Sequence, residues 1–240
     1  MVEHLAYTER VGGSSPSPPT RFAAAHKAWI CALFAALMVF SPAALADAMR
    51  FRLVDIGGAG CAKACPQAIA AEGVIEPETP EAFLEFAKQA PSSRLRAVVF
   101  LDSPGGNVVA SMELGTIFRK LRVAAIVAQF APDAGQGASP AVTGQCISAC
   151  VYAMMGGVRR VAPPGSRVGL HRMSIVERGI FTTSRSLADP PLVDALAKYA
   201  QRMGVDRRLV TAAESQDPDV VHLLTRQEMA RWRLATAQFY

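Results

Sequence analysis

Five apolar residues in a row, Ala97-Val98-Val99-Phe100-Leu101, run directly into Asp102-Ser103-Pro104-Gly105-Gly106, and this junction restricts the fold more than any other stretch. An unbroken apolar run of strand length has no polar face for solvent, so it belongs in a parallel sheet covered on both sides. Pro-Gly-Gly ends the strand. Asn107 then suits the N-cap of a helix reaching about Leu121, with Val108, Met112, Leu114, Ile117 and Leu121 on or near one face. Residues 123–128 read as the next strand, which makes a strand–helix–strand unit with a right-handed crossover.

The flanking sequence extends this α/β pattern. Short strands are expected at 51–56 and 73–75, separated by the Gly- and Cys-rich turn 57–65, and a helix at 80–89 carries Phe83, Phe86 and Ala87 at helical spacing after Pro80. Residues 129–144, dominated by Ala, Gly, Pro and Gln, read as an inserted surface loop. A small-residue helix over 146–155 is stopped by Gly156-Gly157, 158–162 is short and extended, and Pro163-Pro164-Gly165 turns the chain into a strand at 167–171. The stretch to about Ala188 is rich in Ser, Thr and Arg, and its length suits a lid or binding loop. Helices at 190–203, 206–214 and 225–233 complete the chain.

The apolar run 28–40 has Arg21, His26 and Lys27 before it and Ala44-Leu45-Ala46 after it, the order of a secretory signal. An uncleaved membrane anchor over 28–46 is the alternative, since that length just suffices to span. Residues 1–27 then form a disordered N-terminal extension, rich in Ser, Pro and Gly, and 47–240 the folded domain. The expected location is outside the cytoplasm, either periplasmic or membrane-anchored facing the periplasm. A net charge of +5 comes from scattered Arg without aromatic interleaving, and neither zinc-finger nor helix-turn-helix spacing occurs, so nucleic acid is not an expected partner.

With Cys31 in the leader, Cys61, Cys65, Cys146 and Cys150 remain, an even number that favours disulfides in an exported chain. Three pairings exist. A Cys61–Cys65 bridge is easy in a loop, whereas Cys146–Cys150 would require the first helical turn to distort. A zinc site from the two C-x3-C pairs and four unpaired buried thiols are the alternatives. No metal and no cofactor are expected, and no nucleotide-binding glycine pattern is present.

Chemistry is carried by three features in a fixed order. Glycines after a strand let a backbone N–H approach a substrate carbonyl, which fits Gly105 and Gly106. A Ser opening a helix of small residues, Ser148, can attack while the following amide, that of Ala149, adds a second donor beside the positive helix end. His171 at a strand end can act as general base. Each alone has a plainer reading: a tight turn, an N-cap or buried hydroxyl, a hydrogen-bonded histidine at a strand end. Their joint order is what points to serine hydrolysis.

That order resembles the Clp peptidase branch of the Clp/crotonase superfamily over about Val98 to Trp232, on the stretches Leu101 to Gly106, Ser148 to Arg160 and Ser166 to His171. Within it the chain is most similar to exported, periplasmic Clp-like proteins that carry a Cys-x-Ser-Ala-Cys element. The resemblance implies repeated ββα units wound in a spiral, with C-terminal helices. It also implies Ser148 as nucleophile, His171 as base, and Gly105 with Ala149 as oxyanion donors. The acid of the family pattern is missing, because Val221 holds its position; Asp217 and Asp219 lie nearby but out of register, and His222 is the other histidine of the mature chain. A Ser-Lys arrangement finds weak support, since Lys120 and Lys198 sit on helices with no motif around them.

Three functions follow as expectations. The first is an exported, ATP-independent serine peptidase or related hydrolase acting on polypeptide through an acyl-enzyme at Ser148. The second is a catalytically weak or inactive Clp-like module that binds peptide ligands or acts as a scaffold. The third, a crotonase-type thioester enzyme, is disfavoured by the Ser and His pair. Homo-oligomers are compatible with the resemblance, although the segment that stacks Clp rings is not recognisable between His171 and Pro190.

Overall fold

The computed structural model describes residues 47–56, 65–130, 141–178 and 183–236. In chain order the elements are β1 (Arg50–Asp55), β2 (Gln67–Glu72), α1 (Thr79–Gln89), β3 (Leu95–Asp102), α2 (Val108–Lys120), β4 (Ala124–Phe130), β5 (Ala141–Thr143), β6 (Gln145–Ile147) and α3 (Ala149–Met155). Then come β7 (Arg159–Val161), β8 (Arg167–Leu170), β9 (Ser174–Arg178), β10 (Thr183–Leu187), α4 (Pro190–Arg202), α5 (Arg208–Glu214), β11 (His222–Leu223) and α6 (Arg226–Arg231).

β3 lies between β2 and β4 in parallel register, as its unbroken apolar run demands. Both faces of that sheet are covered by apolar side chains. Val99 and Leu101 enter the main core with Leu114 and Phe118 of α2, while Phe100 turns the other way and meets Phe130 edge-on, their centroids 4.6 Å apart. The sheet continues through β1, antiparallel to β2, and through β7 and β5 on the far side of β4, parallel and antiparallel respectively. A second sheet has the order β11-β8-β6, with β6 and β8 parallel and β11 antiparallel at the edge. The two sheets are stitched where β3 ends: Ser103 N–H donates to Gln145 O at 2.8 Å and accepts Ile147 N–H at its own carbonyl at 3.1 Å. The result is a mixed α/β fold with a parallel core and three helices at the C-terminal end.

Four differences from the sequence reading have physical causes. The second strand is Gln67–Glu72, not 73–75, where only isolated bridges form. Its Ala-rich sequence has little strand propensity, and pairing with β1 and β3 decides its state. Residues read as a loop at 129–144 include the end of β4 and all of β5, and β6 follows directly at Gln145; 131–140 lie outside the described residues. Cys146 belongs to a strand, so the helix begins three residues later than its small-residue composition indicated. The irregular stretch after His171 contains the antiparallel pair β9 and β10.

Among the described residues no helix is long and apolar enough to cross a membrane. This corrects the membrane-anchored, periplasm-facing placement. The extension 1–27 and the run 28–46 that suggested it lie outside the described residues, as does Cys61.

Candidate active site

β6 and β8 are neighbouring parallel strands, and Ile147 pairs with Gly169. Their carboxyl ends therefore open on the same edge, where ligands of parallel sheets gather. The residue after β6 is Ser148 and the residue after β8 is His171. Ser148 N–H donates to Gly169 O at 2.8 Å, which ties the serine to the strand that presents the histidine two residues later. Both side chains line one cleft of about 640 Å3. No hydrogen bond joins the Ser148 hydroxyl to the imidazole among the described residues.

Ser148 has φ +56° and ψ −123°, a left-handed conformation that a side chain adopts at a cost of order 1–3 kcal/mol. It sits on a sharp strand-to-helix turn of the kind that lifts a nucleophilic hydroxyl clear of its neighbours. The bridge between Cys146 and Cys150 spans this turn, with their Cα atoms 5.2 Å apart. The pairing needs no distorted helical turn, because Cys146 is in β6 and only Cys150 is in α3. Those two sulfurs are thereby removed from any zinc site. Cys65 is also disulfide-bonded.

The glycine pair divides its work. Gly105 is buried and its N–H donates to Ser103 Oγ at 3.1 Å. At φ +111° a Cβ there would stand 2.8 Å from Ile147 O and 3.0 Å from Ser148 Cβ, so the bare backbone is what lets this loop lie against the serine. Gly105 O accepts Ile75 N–H at 2.8 Å and Asn107 N–H donates to Ile75 O at 2.7 Å. In such a parallel bridge the residue between, Gly106, directs its own N–H away from Ile75. Gly106 is exposed on the cleft, and neither its amide nor that of Ala149 has a hydrogen-bond acceptor among the described residues. The open donor of the pair is thus Gly106 rather than Gly105.

His171 Nδ1 lies 2.8 Å from Arg172 O. A carbonyl only accepts, so Nδ1 carries the hydrogen, and in the neutral ring Nε2 holds the lone pair. The acids named from sequence are engaged elsewhere. Asp219 pairs with Arg185, and Asp217 Oδ1 accepts Asp219 N–H at 2.8 Å. His222 is held by Glu228 at 2.9 Å, inside the capping box that Thr225 and Glu228 build at α6. Among the described residues no group of three or more His, Cys, Asp or Glu could hold a metal ion.

Sequence reasoning overlooked two participants. Asn107 both caps α2, accepting Ala110 N–H at 2.9 Å, and lines the cleft. Glu214, the last residue of α5, accepts Met173 N–H at 3.2 Å beneath the segment carrying His171. Burial pushes its carboxyl above the ordinary range, opposed by that amide and by the charges of Arg172 and His171. Asn107 was legible as a cap, but no motif surrounds Glu214.

No protein-family model matches the chain, and no curated protein matches it. Among solved structures it is similar to a mutant of the 1510-N membrane-bound stomatin-specific protease, at 18% identity and TM-score 0.49 over 70% of this chain and 76% of that one. A second mutant of that protease, in complex with a substrate peptide, gives 19% identity and TM-score 0.49 over 70% and 72%. ClpP1 from Listeria monocytogenes gives 13% identity and TM-score 0.47 over 70% and 88%. At this level of likeness the comparisons assign this chain no family and no residue role.

Proposed function

We propose that the protein is a serine hydrolase of Clp/crotonase-like fold that cleaves polypeptide, independently of ATP, through an acyl-enzyme at Ser148. The observation that carries the reading is the convergence on one cleft of Ser148 on a strained turn, His171 with a lone pair at Nε2, and the two open amides of Gly106 and Ala149.

In this reading the Ser148 hydroxyl attacks the scissile carbonyl while His171 Nε2 takes its proton. The developing oxyanion is met by the amides of Gly106 and Ala149, donors fixed before the reaction begins. His171 returns the proton to the leaving amine, and water then hydrolyses the acyl-enzyme by the same route. The Arg172 carbonyl keeps the imidazole in the required tautomer, a task that a carboxylate performs in a triad. A resting site without a Ser148–His171 hydrogen bond is compatible with this chemistry, since such bonds form or tighten in the substrate complex.

The test is labelling by a fluorophosphonate probe. Wild-type protein is expected to label at one residue, and Ser148→Ala to abolish labelling while circular dichroism stays unchanged. Folded wild-type protein that never labels, yet binds an extended peptide as well as Ser148→Ala does, would replace this reading with the peptide-binding module.

A further inference from the structure

The Arg172 carbonyl that accepts from His171 Nδ1 and the Met173 N–H that donates to Glu214 belong to one peptide group. The two hydrogen bonds, 2.8 Å and 3.2 Å long, therefore run in series from imidazole through a single peptide to a carboxylate. The described residues contain no cis peptide bond, so the C=O and N–H of this unit point to opposite sides and connect the two partners across it. Building on the serine hydrolase reading, we propose that Glu214 is the missing third member of the site, a positioning residue that acts on His171 through the 172–173 peptide instead of touching the ring.

An ionised acceptor on the N–H side polarises the peptide and draws electron density toward its carbonyl oxygen. Chains of hydrogen bonds reinforce one another in this way. The Arg172 oxygen becomes a stronger acceptor for Nδ1–H, and more so once the ring is an imidazolium, which is the state formed as Ser148 attacks. No proton travels along the relay. Nδ1 keeps its hydrogen, the peptide stays neutral, Glu214 stays ionised, and the only proton that moves goes from Ser148 Oγ to Nε2.

The other carboxylates near the expected acid position are committed elsewhere, Asp219 to Arg185 and Asp217 to a backbone amide. Glu214 is half-buried and is felt by three groups on two elements. They are His171 and Arg172 after β8, and Tyr152 of α3, whose hydroxyl is pushed upward chiefly by its own burial and then by this carboxylate. The charge of Arg172 helps keep the carboxyl ionised, and burial works against it. Keeping a buried carboxylate charged costs stability at neutral pH, so a neutral isostere should fold at least as well as wild type.

Glu214→Gln separates charge from geometry, because an amide oxygen can still accept the Met173 N–H. We expect Glu214→Gln to melt no lower than wild type at pH 7 and to label with the fluorophosphonate roughly ten- to hundredfold more slowly. That loss is smaller than the factor of about 10⁴ seen when a directly bonded Asp is neutralised. In nitrogen-15 spectra the His171 Nδ1–H resonance should move upfield and the ring should titrate at lower pH, with His222 unchanged as internal control. Glu228→Gln should do the reverse. A purely structural role predicts a wild-type rate and His171 titration in Glu214→Gln, and that result overturns the proposal. The spectroscopic arm does not need turnover. If wild-type protein never labels, the hydrolase reading fails by itself while the His171 titration still decides the relay.

Discussion

At the residue scale the site is built from backbone as much as from side chains. Gly106 is the sharpest case. It has φ +137°, and a Cβ at that position would come 2.1 Å from Ile75 O, the atom that accepts Asn107 N–H. Gly106→Ala must therefore break the bridge to Ile75 as well as adopt a disfavoured conformation. We expect it to destabilise the fold by at least about 2–3 kcal/mol in chemical denaturation and to lose labelling even where it folds. The need for two small residues after β3 was legible from the Ser-Pro-Gly-Gly turn, and so were the positions of Ser148 before a small-residue helix and of His171 at a strand end. Which glycine keeps an open amide was not, because that depends on Ser103 Oγ reaching back to Gly105 and on Ile75 arriving from the segment after β2. Glu214 was illegible for the same reason. Its role exists only once α5 packs beneath the loop after β8.

At the element scale, the turn from β6 to α3 is held by covalent and hydrogen bonds together. Cys146 precedes Ser148 by two residues and Cys150 follows it by two, and both are fully buried. The bridge so formed closes only the turn that carries the serine, and the β8 backbone clamps the same residue from the side through Gly169. Closing a loop this short removes little unfolded-state entropy, about 2 kcal/mol in the chain-entropy account. Cys146→Ala with Cys150→Ala should therefore lower unfolding free energy by about 2 kcal/mol and leave a folded protein. Its labelling rate should fall by more than the stability loss suggests, since the strained φ of Ser148 is no longer pinned from both sides; parallel denaturation and labelling measurements check this. The cysteine spacing was visible in sequence, but reading residues 146–155 as one helix made the pairing look strained. The strand-to-helix switch at Ser148 is set by pairing between β6 and β8, which composition does not report.

At the scale of the whole molecule, α3 links the cleft to the C-terminal segment. Its first turn follows Ser148, and at its other end Met155 O accepts from Arg119 and from Arg160. Arg160 is almost wholly buried and donates to Leu234 O at 2.7 Å, Arg233 O at 2.8 Å and Gly157 O at 2.9 Å, with longer contacts to Met155 O and Met203 O. The partners are all carbonyls, and burial, with Arg119 as a second cation, lowers the guanidinium to about 10. Only a planar fork can serve so many oxygens at once, so the carbonyl ends of α3 and α4 and the segment after α6 are drawn to one side chain. Sequence placed Arg159 and Arg160 together after Gly156-Gly157 without showing which points inward. The alternation of β7 settles it, leaving Arg159 exposed. Arg160→Lys keeps the charge but offers too few donors, and should cost about 3 kcal/mol in chemical denaturation. Limited proteolysis should then cut the chain after α6 sooner than elsewhere, because Arg233 and Leu234 lose their anchor. Labelling of Ser148 well below the melting temperature should stay near wild type, since the cleft end of α3 is held independently by Gly169 and the Cys146–Cys150 bridge.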